Sequence, residues 1–417
     1  MTMRRKHARQ DGAGLVETMI GILIGMIVVL VIYNVFALTE AYKRTAVGAA
    51  DAQTTGLYAQ FVLSREIASA GNGILDSGIA SVVRDLLQCN NNEPKWSYPA
   101  PFDTLIPVPR MRPVPVLIHD GGGPTVSDSI IVTYSTAPHV ASPVQFVNPT
   151  ATGVAPFYVQ SPNGFRANDW VIALNPGTQT CELTTATAVI PGDSAGTVTT
   201  GIVTVSHPAV GGTYAAGSPP DGAMLLNLGQ TGEAVRALYD VADQKGVVPC
   251  DPGTGAKPNI CQLRSTDLLG GAPANPIAQN IVLMKAQYGI DCQNNGVVLW
   301  TSATASNVCG LGESYTEDEM VKDPNVAGSN DKKFGATGAT VARIRAIRIG
   351  IVVRSDEPDL KDAALVGQTA VLFNCSTNNA ACQGRTVLDN TVLTDYYRFR
   401  TYETVVPMRN AIWNTGT

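Results

Sequence analysis

An uninterrupted apolar segment near the amino terminus is the feature that most limits how this chain can fold. From Thr18 to Thr39 the chain has 22 residues without a charge, and most of them are Ile, Leu, Val or Met. As a helix that rises about 1.5 Å per residue, this segment crosses the roughly 30 Å hydrocarbon core of a membrane. Basic residues precede it and Glu40 follows it. The positive-inside rule therefore predicts a cytoplasmic amino end and an exported remainder.

The sequence after the apolar segment predicts that the same helix continues outside the membrane. An ordinary secretory signal would be followed by a small-residue cleavage site, but residues 40–70 continue with few helix breakers until Gly71-Asn72-Gly73. We predict one helix of about 57 residues, roughly 85 Å long. Gly48 and Gly56 weaken its second half unless that half packs against a folded domain. The apolar stripe expected to face this domain consists of Leu38, Tyr42, Ala46, Ala49, Leu57, Phe61 and Ala68.

The exported part has the composition of a loop-rich β protein. Only 15% of the residues are charged, and the chain contains 40 glycines and 26 prolines. Short runs with period-two alternation predict antiparallel strands, among them Ser129–Ser135 and 345–355. In the second run, isoleucines alternate with Arg348, Gly350 and Arg354, which predicts a half-buried strand. Asn295-Gly296 is typical of a hairpin turn.

The eight cysteines favour disulfides formed in an oxidising compartment. No two of them form a C-x-x-C pair, and with only four histidines the usual zinc-site spacings are absent. An even number of cysteines in polar, loop-like sequence favours disulfides, with free buried thiols as the alternative. The shortest loops favour three pairs, and Cys89 and Cys181 are further candidates. These three pairs are Cys375 with Cys382, Cys250 with Cys261, and Cys292 with Cys309.

Glu17 is a carboxylate at the edge of the apolar segment. One interpretation is a glutamate at the membrane interface, where a charge costs less than at the bilayer centre. The other interpretation requires a cation. If the chain is cut after Gly12, a new ammonium group arises at Ala13, four residues from Glu17. Between two axially offset helices, the Glu17 of one chain could then neutralise the Ala13 ammonium of another and fix their register.

The amino-terminal motif resembles the type IV prepilin signature. The resemblance rests on the basic leader, Gly12, the following "AGLVE" and the continuous apolar helix. It implies that a prepilin peptidase cleaves after Gly12 on the cytoplasmic side and methylates Ala13, and that Glu17 serves filament assembly. The chain has Ala13 where that superfamily usually has phenylalanine, which bears more on methylation than on cleavage.

Landmarks in the exported part are similar to the PilW family of minor pilins. In chain order they are "ANDWVIALNPGTQTCELTTATAV", "VRALYDV", "VLMKAQYGIDCQNNGVV", "RAIRIGIVVRS" and "YYRFRTYETVVPMRN". The resemblance implies an α+β, pilin-like fold with a leader over 1–12 that is removed and an amino-terminal helix over 13–72, transmembrane to about 39. A β-rich antiparallel domain over 73–417 follows, in which an inserted lobe around 90–270 is one option.

The same resemblance implies a non-enzymatic minor pilin that helps to prime or cap a type IV pilus used in twitching, adhesion or DNA uptake. The implied partners are prepilin peptidase, the major and other minor pilins, the inner-membrane assembly platform and membrane lipid. The protein would move from the inner membrane to the periplasm and the surface pilus, near its tip. We expect no cofactor and no metal. A minor pseudopilin of type II secretion is the first alternative, and a periplasmic enzyme or binding protein on an uncleaved anchor is the second.

Other motifs carry less weight. "HDGGGP" and "GDSAG" imitate esterase loops, but a strand-like run follows Ser194 where that fold needs a helix. His139, Asp169 and Ser194 follow the chain order of a chymotrypsin-like triad, although the spacing is short and no second barrel is evident. Asp291 begins an imitation of a calcium loop, for which a plain hairpin is the simpler explanation. A net charge of −5 without a basic patch does not indicate nucleic-acid binding.

Overall fold

A computed structural model shows one long helix that continues into an antiparallel β domain. The structure describes residues 14–74, 89, 93, 95–96, 98–100, 102–105, 111, 114–121, 125–140, 143–147, 151–160, 164–175, 178, 180–191, 202–214, 222–248, 250, 259–291, 296–300, 344–358, 365–373, 386–388 and 396–412. All structural statements below concern these residues.

The long helix α1 is Leu15–Ser69. It ends where the sequence predicts, because Gly71 and Gly73 both adopt positive φ angles, of 83° and 78°, that residues with a side chain rarely adopt. The predicted continuation of the apolar segment as one helix to about residue 70 is therefore confirmed. Two short helices, α2 (Phe102–Leu105) and α3 (Arg409–Ile412), also occur.

Of the strands named from alternation, β2 has the predicted bounds and β17 is shifted by one residue from the predicted 345–355. In chain order the described strands are β1 Val116–His119, β2 Ser129–Ser135, β3 Val144–Gln145, β4 Ala151–Gly153, β5 Phe157–Gln160, β6 Trp170–Asn175, β7 Thr180–Thr185, β8 Ala188–Pro191, β9 Ile202–Ser206, β10 Val210–Tyr214, β11 Met224–Gly229, β12 Ala234–Asp243, β13 Cys261–Asp267, β14 Asn275–Gln279, β15 Ile281–Ile290, β16 Leu299–Trp300, β17 Ile344–Arg354, β18 Ala370–Leu372, β19 Thr386–Leu388 and β20 Phe399–Pro407.

Three larger sheets carry most of these strands, and their strand pairs are antiparallel. The first sheet has the order β1-β2-β12-β13-β14, the second β16-β15-β17-β20 and the third β3-β11-β6-β7. Smaller sheets are β5-β9-β8, β10-β4 and β18-β19. The predicted α+β class, with a long helix on an antiparallel β domain, is confirmed.

The third sheet has a buried apolar cluster on each of its two faces. In β6, Ile172 and Leu174 face the main core, whereas Val171 and Ala173 face a second apolar cluster. Alternation along the strand places these two pairs on opposite faces of the sheet. The second cluster consists of Phe146, Phe157, Val159, Val171, Ala173, Ala186, Val203, Val205, Val210, Tyr214, Ala223 and Leu225.

The expectation that β17 is half-buried is wrong, because both faces of the strand are covered. One face carries the isoleucines of the main core. On the other face the Arg348 guanidinium lies 4.8 Å from the ring centre of Trp300 and 4.2 Å from that of Phe373. A cation that stacks on aromatic rings is tolerated at such a covered position. The charged residues of the alternation therefore mark contacts with aromatic side chains rather than with solvent.

A buried cluster of charged residues links the first and second sheets. The Lys285 ammonium on β15 donates to Asp128 Oδ1 at 2.5 Å and to Asp120 Oδ1 at 3.2 Å. Asp128 also accepts hydrogen bonds from the backbone N–H groups of Gly121 and Ala286. Burial by itself would lower the pKa of Lys285, but the two carboxylates raise it above its ordinary value. The ammonium therefore stays charged and holds the two sheets together.

Replacing Lys285 with methionine should destabilise the fold strongly, because it leaves two carboxylates in the core without their cation. We expect Lys285→Met to lower the free energy of unfolding by about 3–5 kcal/mol in denaturant titrations of the full chain. Lys245→Met, at an exposed turn position, should change it by less than about 0.5 kcal/mol. Equal effects of the two variants would contradict the role of the buried ammonium.

The Asp128 carboxyl should make stability depend on pH. Burial, opposed by the attraction of Lys285, raises its pKa from 3.8 to about 6. Between these two values the folded state binds more protons than the unfolded state, so the contribution of Asp128 is complete below pH 3.8 and disappears as the pH rises through about 6. The stability of the wild type minus that of Asp128→Asn should therefore fall across this window. A difference that rises would show that the pKa is lowered instead.

Candidate functional site

Glu17 lies in the first turn of α1 with its side chain exposed. Its backbone N–H donates to the Gly14 carbonyl at 2.8 Å, which begins the helix. A carboxylate in the first turn interacts favourably with the helix dipole. No hydrogen bond or ion pair involving this carboxylate occurs within the described part of the chain. Gly12 and Ala13 lie outside the described residues, so cleavage, methylation and the pairing of Glu17 stay predictions.

The first part of α1 presents apolar side chains in every direction. Large residues from Leu15 to Leu38 are exposed all round the helix, which requires an apolar environment. Within the described residues, α1 is the helix that is long and apolar enough to cross a membrane. Beyond Thr39 charges return, and Arg44 lies 3.4 Å from Glu40 in an exposed i, i+4 pair. This arrangement fits membrane anchoring through the first part of α1.

The second half of α1 packs on the β domain through small residues up to Ala59 and through Leu63 and Ile67 beyond it. The predicted apolar stripe is therefore wrong except at Ala49 and Ala68, which are partly buried. Leu38, Tyr42, Leu57 and Phe61 are exposed, the last by 60%. Small side chains face the sheet because they let the helix backbone approach the strands closely, and this leaves the larger apolar residues outside. The residues on the buried face are Gly48, Ala52, Gly56, Ala59, Leu63, Glu66, Ile67 and Ala70.

The closest approach lies between Gly56 and Tyr402 of β20. A Cβ atom added to Gly56 would lie 2.1 Å from the Tyr402 ring, so this position requires glycine for the ring to stay where it is. The Tyr402 hydroxyl donates to the Ala52 carbonyl at 3.4 Å. One turn further along, the Gln60 amide donates to the Glu403 carbonyl at 2.9 Å. The second half of α1 is thus fixed along β20.

Glu66 is a buried acid on the face of α1 that packs against the first sheet. It accepts a short hydrogen bond from the Tyr134 hydroxyl of β2 and a 2.6 Å bond from Arg65. Burial and the nearby Glu66 carboxylate raise the pKa of Tyr134 and of Tyr239 above their usual range. Both phenols therefore stay protonated and act as donors. Because a hydrogen-bonded carboxylate fixes position more strictly than apolar contact, Glu66 fixes where the helix sits on the sheet.

The end of α1 is joined to the carboxyl-terminal helix and to the first sheet. Asn410 of α3 donates to the carbonyls of Ser69 and Ala70, at 3.3 Å and 2.9 Å. The Gly71 N–H donates to the Thr133 carbonyl of β2 at 3.0 Å. The last carbonyls of the helix are therefore satisfied by a segment that comes from the far end of the chain.

Two disulfides are present among the described cysteines. Cys250 is joined to Cys261, the pair that its short loop favours, and Cys89 is joined to Cys181 over 92 residues. The pairing of the remaining four cysteines stays a prediction, because these residues lie outside the described part of the chain. They are Cys292, Cys309, Cys375 and Cys382.

The structure describes part of the triad-like set and of the calcium-loop imitation. His139 Nε2 lies 3.1 Å from Asp169 Oδ2, while Ser194 is outside the described residues. Asp291 accepts a 2.9 Å hydrogen bond from the Gly296 N–H, and β15 and β16 pair on either side of this connection as a hairpin.

Sequence reasoning missed the burial of Glu66 and the position of Glu233 beside His139 and Asp169. Glu66 is one charged residue within the apolar face of a helix, and no pattern marks it as buried. His139 and Asp169 meet Glu233 in space, although 30 and 64 residues separate them along the chain. These three residues come together only in the folded chain, where the first sheet meets the third.

Comparison with known proteins gives one family. Residues 250–410 match the model of a family described as Type IV Pilus-assembly protein W, or PilW. The chain is therefore similar to the PilW family over the strands from β13 to β20. This region contains three of the landmarks quoted above, and the other two lie before it. The chain matches no curated protein and no solved structure.

The close approach of α1 to β20 can be tested with two glycines that should respond in opposite directions. Gly48→Ala adds a methyl group 3.5 Å from the Ser355 Cβ, an ordinary contact, and should stabilise the chain by up to about 1 kcal/mol through helix propensity. Gly56→Ala displaces the Tyr402 ring and should destabilise it by about 1–3 kcal/mol. Denaturant unfolding of the full chain in detergent measures both. Stabilisation by both variants would contradict the described packing.

Proposed function

We propose that the chain is a minor pilin of a type IV pilus, and that it helps to prime or cap the assembly of the filament. The similarity of residues 250–410 to a pilus-assembly family supports a role in pilus assembly. The finer assignment rests on α1, whose exposed apolar surface continues well past the membrane-spanning part.

The observation that carries this proposal is the outward face of the exported half of α1. Val47, Leu57, Tyr58 and Phe61 are each at least half exposed, although the helix has a whole domain against which to bury them. Several large apolar side chains left exposed beside a folded domain indicate an interaction site. Helices of neighbouring pilins, side by side in a filament, would cover the same surface that lipid covers nearer the amino end.

Processing completes the proposed mechanism. Prepilin peptidase would remove residues 1–12 after Gly12 and leave the Ala13 amine, in methylated form, as the new terminus. Glu17 is exposed, and no described residue pairs with it, so its carboxylate is available to the Ala13 ammonium of a neighbouring pilin. In an apolar bundle an unpaired charge is strongly unfavourable, and therefore only the paired register is stable.

The proposed route follows from this mechanism. The protein is anchored in the inner membrane with its amino end in the cytoplasm and its β domain in the periplasm. It is then passed by the assembly platform into a bundle with the other minor pilins and the major pilin, near the tip. Within the β domain, the second apolar cluster supports an inserted lobe inside the range 90–270.

The two alternatives differ from this proposal in testable ways. A minor pseudopilin of type II secretion would use the same helix, but the similarity to a pilus-assembly family and the length of 417 residues favour a pilus protein. A periplasmic enzyme or binding protein on an uncleaved anchor would keep its leader.

Glu17→Ala should separate membrane insertion from filament assembly. We expect this variant to insert and to be processed normally, because the apolar segment is unchanged, and to reduce surface pili at least about tenfold. Glu40→Ala, which removes an exposed carboxylate further along α1, is the matched control and should retain piliation. Pilus counts in a host that lacks the native gene measure both variants. Normal piliation with Glu17→Ala would refute the role of the carboxylate.

Intact-mass measurement of membrane-derived protein tests processing independently. The proposal expects a chain that begins at Ala13 and carries one extra methyl group at its amine. A chain that still begins with residues 1–12 would exclude the pilin mechanism and favour the uncleaved anchor.

A further inference from the structure

The geometry points to a Zn²⁺ site formed by His139, Asp169 and Glu233, which ties the first sheet to the third. One ring nitrogen of His139 and one carboxylate oxygen from each acid lie within 4.8 Å of one another. This site is separate from α1 and does not depend on the proposed role in the pilus.

The three residues come from three different connections: two join the first and third sheets, and the one that carries Asp169 leads from β5 of a smaller sheet into the third. His139 follows β2 of the first sheet, and Asp169 directly precedes β6 of the third. Glu233 lies in the turn between β11 and β12, where the chain passes from the third sheet back to the first. An ion bound to all three residues would therefore link these connections and hold the first and third sheets together.

Existing hydrogen bonds already position the two acids. Asp169 Oδ2 accepts hydrogen bonds from the Arg166 N–H at 2.8 Å and from the Asn227 amide at 2.7 Å. Glu233 Oε2 accepts one from the Gln230 N–H at 3.0 Å. Because these contacts orient both carboxylates, little conformational entropy is lost when an ion binds.

Two buried atoms in this cluster lack a hydrogen-bond partner among the described residues. The Asp169 side chain is 0% exposed, yet its Oδ1 accepts no hydrogen bond, and the Nδ1 of His139 is also without a partner. A buried acceptor without a partner costs about 1–3 kcal/mol. His139 Nε2 faces Asp169 at 3.1 Å, so an ion in the cluster would take the Nε2 lone pair while Nδ1 carries the proton. The ion would also supply a partner for the buried Asp169 carboxylate.

The donor set selects the kind of cation. Ca²⁺ and Mg²⁺ prefer oxygen donors alone, whereas one imidazole with two carboxylates suits Zn²⁺. Donors around a tetrahedral Zn²⁺ with bonds of about 2.1 Å lie about 3.4 Å apart, so the side chains need only a small contraction.

A fourth coordination position would be open to water. His139 lines a cleft of about 500 Å³ together with Arg166, Val189, Pro191, Val203 and the short segment 164–167. Three protein donors with one open position is a common arrangement for zinc. Here we assign the ion a structural role, because it would bridge three connections between sheets.

Zinc content and zinc affinity of the full chain in detergent test this site. We expect one equivalent of Zn²⁺ after equilibration and dialysis, measured by mass spectrometry of the metal, and an increase in Tm with added Zn²⁺. His139→Gln and Glu233→Gln should each weaken Zn²⁺ binding at least about tenfold and abolish the increase in Tm. The matched control His119→Gln, which removes a histidine outside the cluster, should keep both.

Added Co²⁺ gives a readout that a purely structural role of these residues would not produce. Its visible absorption should be intense, as for a four-coordinate site, and should disappear in Glu233→Gln. Absence of Zn²⁺ binding by the wild type would overturn the assignment and leave His139 and Asp169 as a structural hydrogen-bonded pair. Zn²⁺ that binds equally well to both cluster variants, or Ca²⁺ that binds in preference to Zn²⁺, would overturn it as well.

Discussion

Close packing of a glycine- and alanine-lined helix face on the second sheet is the contact on which the rest of the structure depends. At Gly56 the helix backbone and the Tyr402 ring are in direct contact, and no side chain fits between them. A face of small residues buries little apolar area per residue, but it allows many backbone and ring atoms to make contact. This choice of face turns the large apolar side chains of α1 away from its own domain. The same packing that holds the helix therefore produces its exposed apolar surface.

Buried polar groups then fix the positions that apolar contact leaves free. A helix face of small residues can slide or rotate on a sheet at little cost in free energy. Glu66 prevents this movement, because its carboxylate accepts a hydrogen bond from Tyr134 in one position of the helix only. Lys285 does the same between the first and second sheets through its two carboxylates. Burying such groups costs desolvation free energy and is weak evidence of added stability. In this protein the buried Glu66 instead defines the direction in which α1 leaves the β domain.

Local sequence patterns predicted most of the helices and strands. Which faces of these elements are buried depends on contacts between distant segments, which such patterns do not contain. The apolar segment with Gly71 and Gly73 marks the extent of α1, and alternation marks strands such as β2, because these signals depend on neighbouring residues. The buried face of α1 was predicted wrongly, since residue size points to Leu57 and Phe61 as core when backbone approach requires glycine. The covering of β17 and the cluster around His139 depend on segments distant in the sequence. No single-segment pattern contains that information.

The family similarity and the helix motif come from opposite ends of the chain, and the structure joins them at one contact. Residues 250–410 contain β17 and β20, the strands that the second half of α1 contacts, as well as Asn410, which donates hydrogen bonds to the end of that helix. The part of the chain that is similar to a pilus-assembly family is thus the platform that presents the helix. The strands from β3 to β11 lie outside that similarity and do not provide the platform. A metal ion bound by Asp169 and Glu233 would act where the strands from β3 to β11 meet the first sheet, so it would stabilise those strands without altering the contact of α1 with β17 and β20.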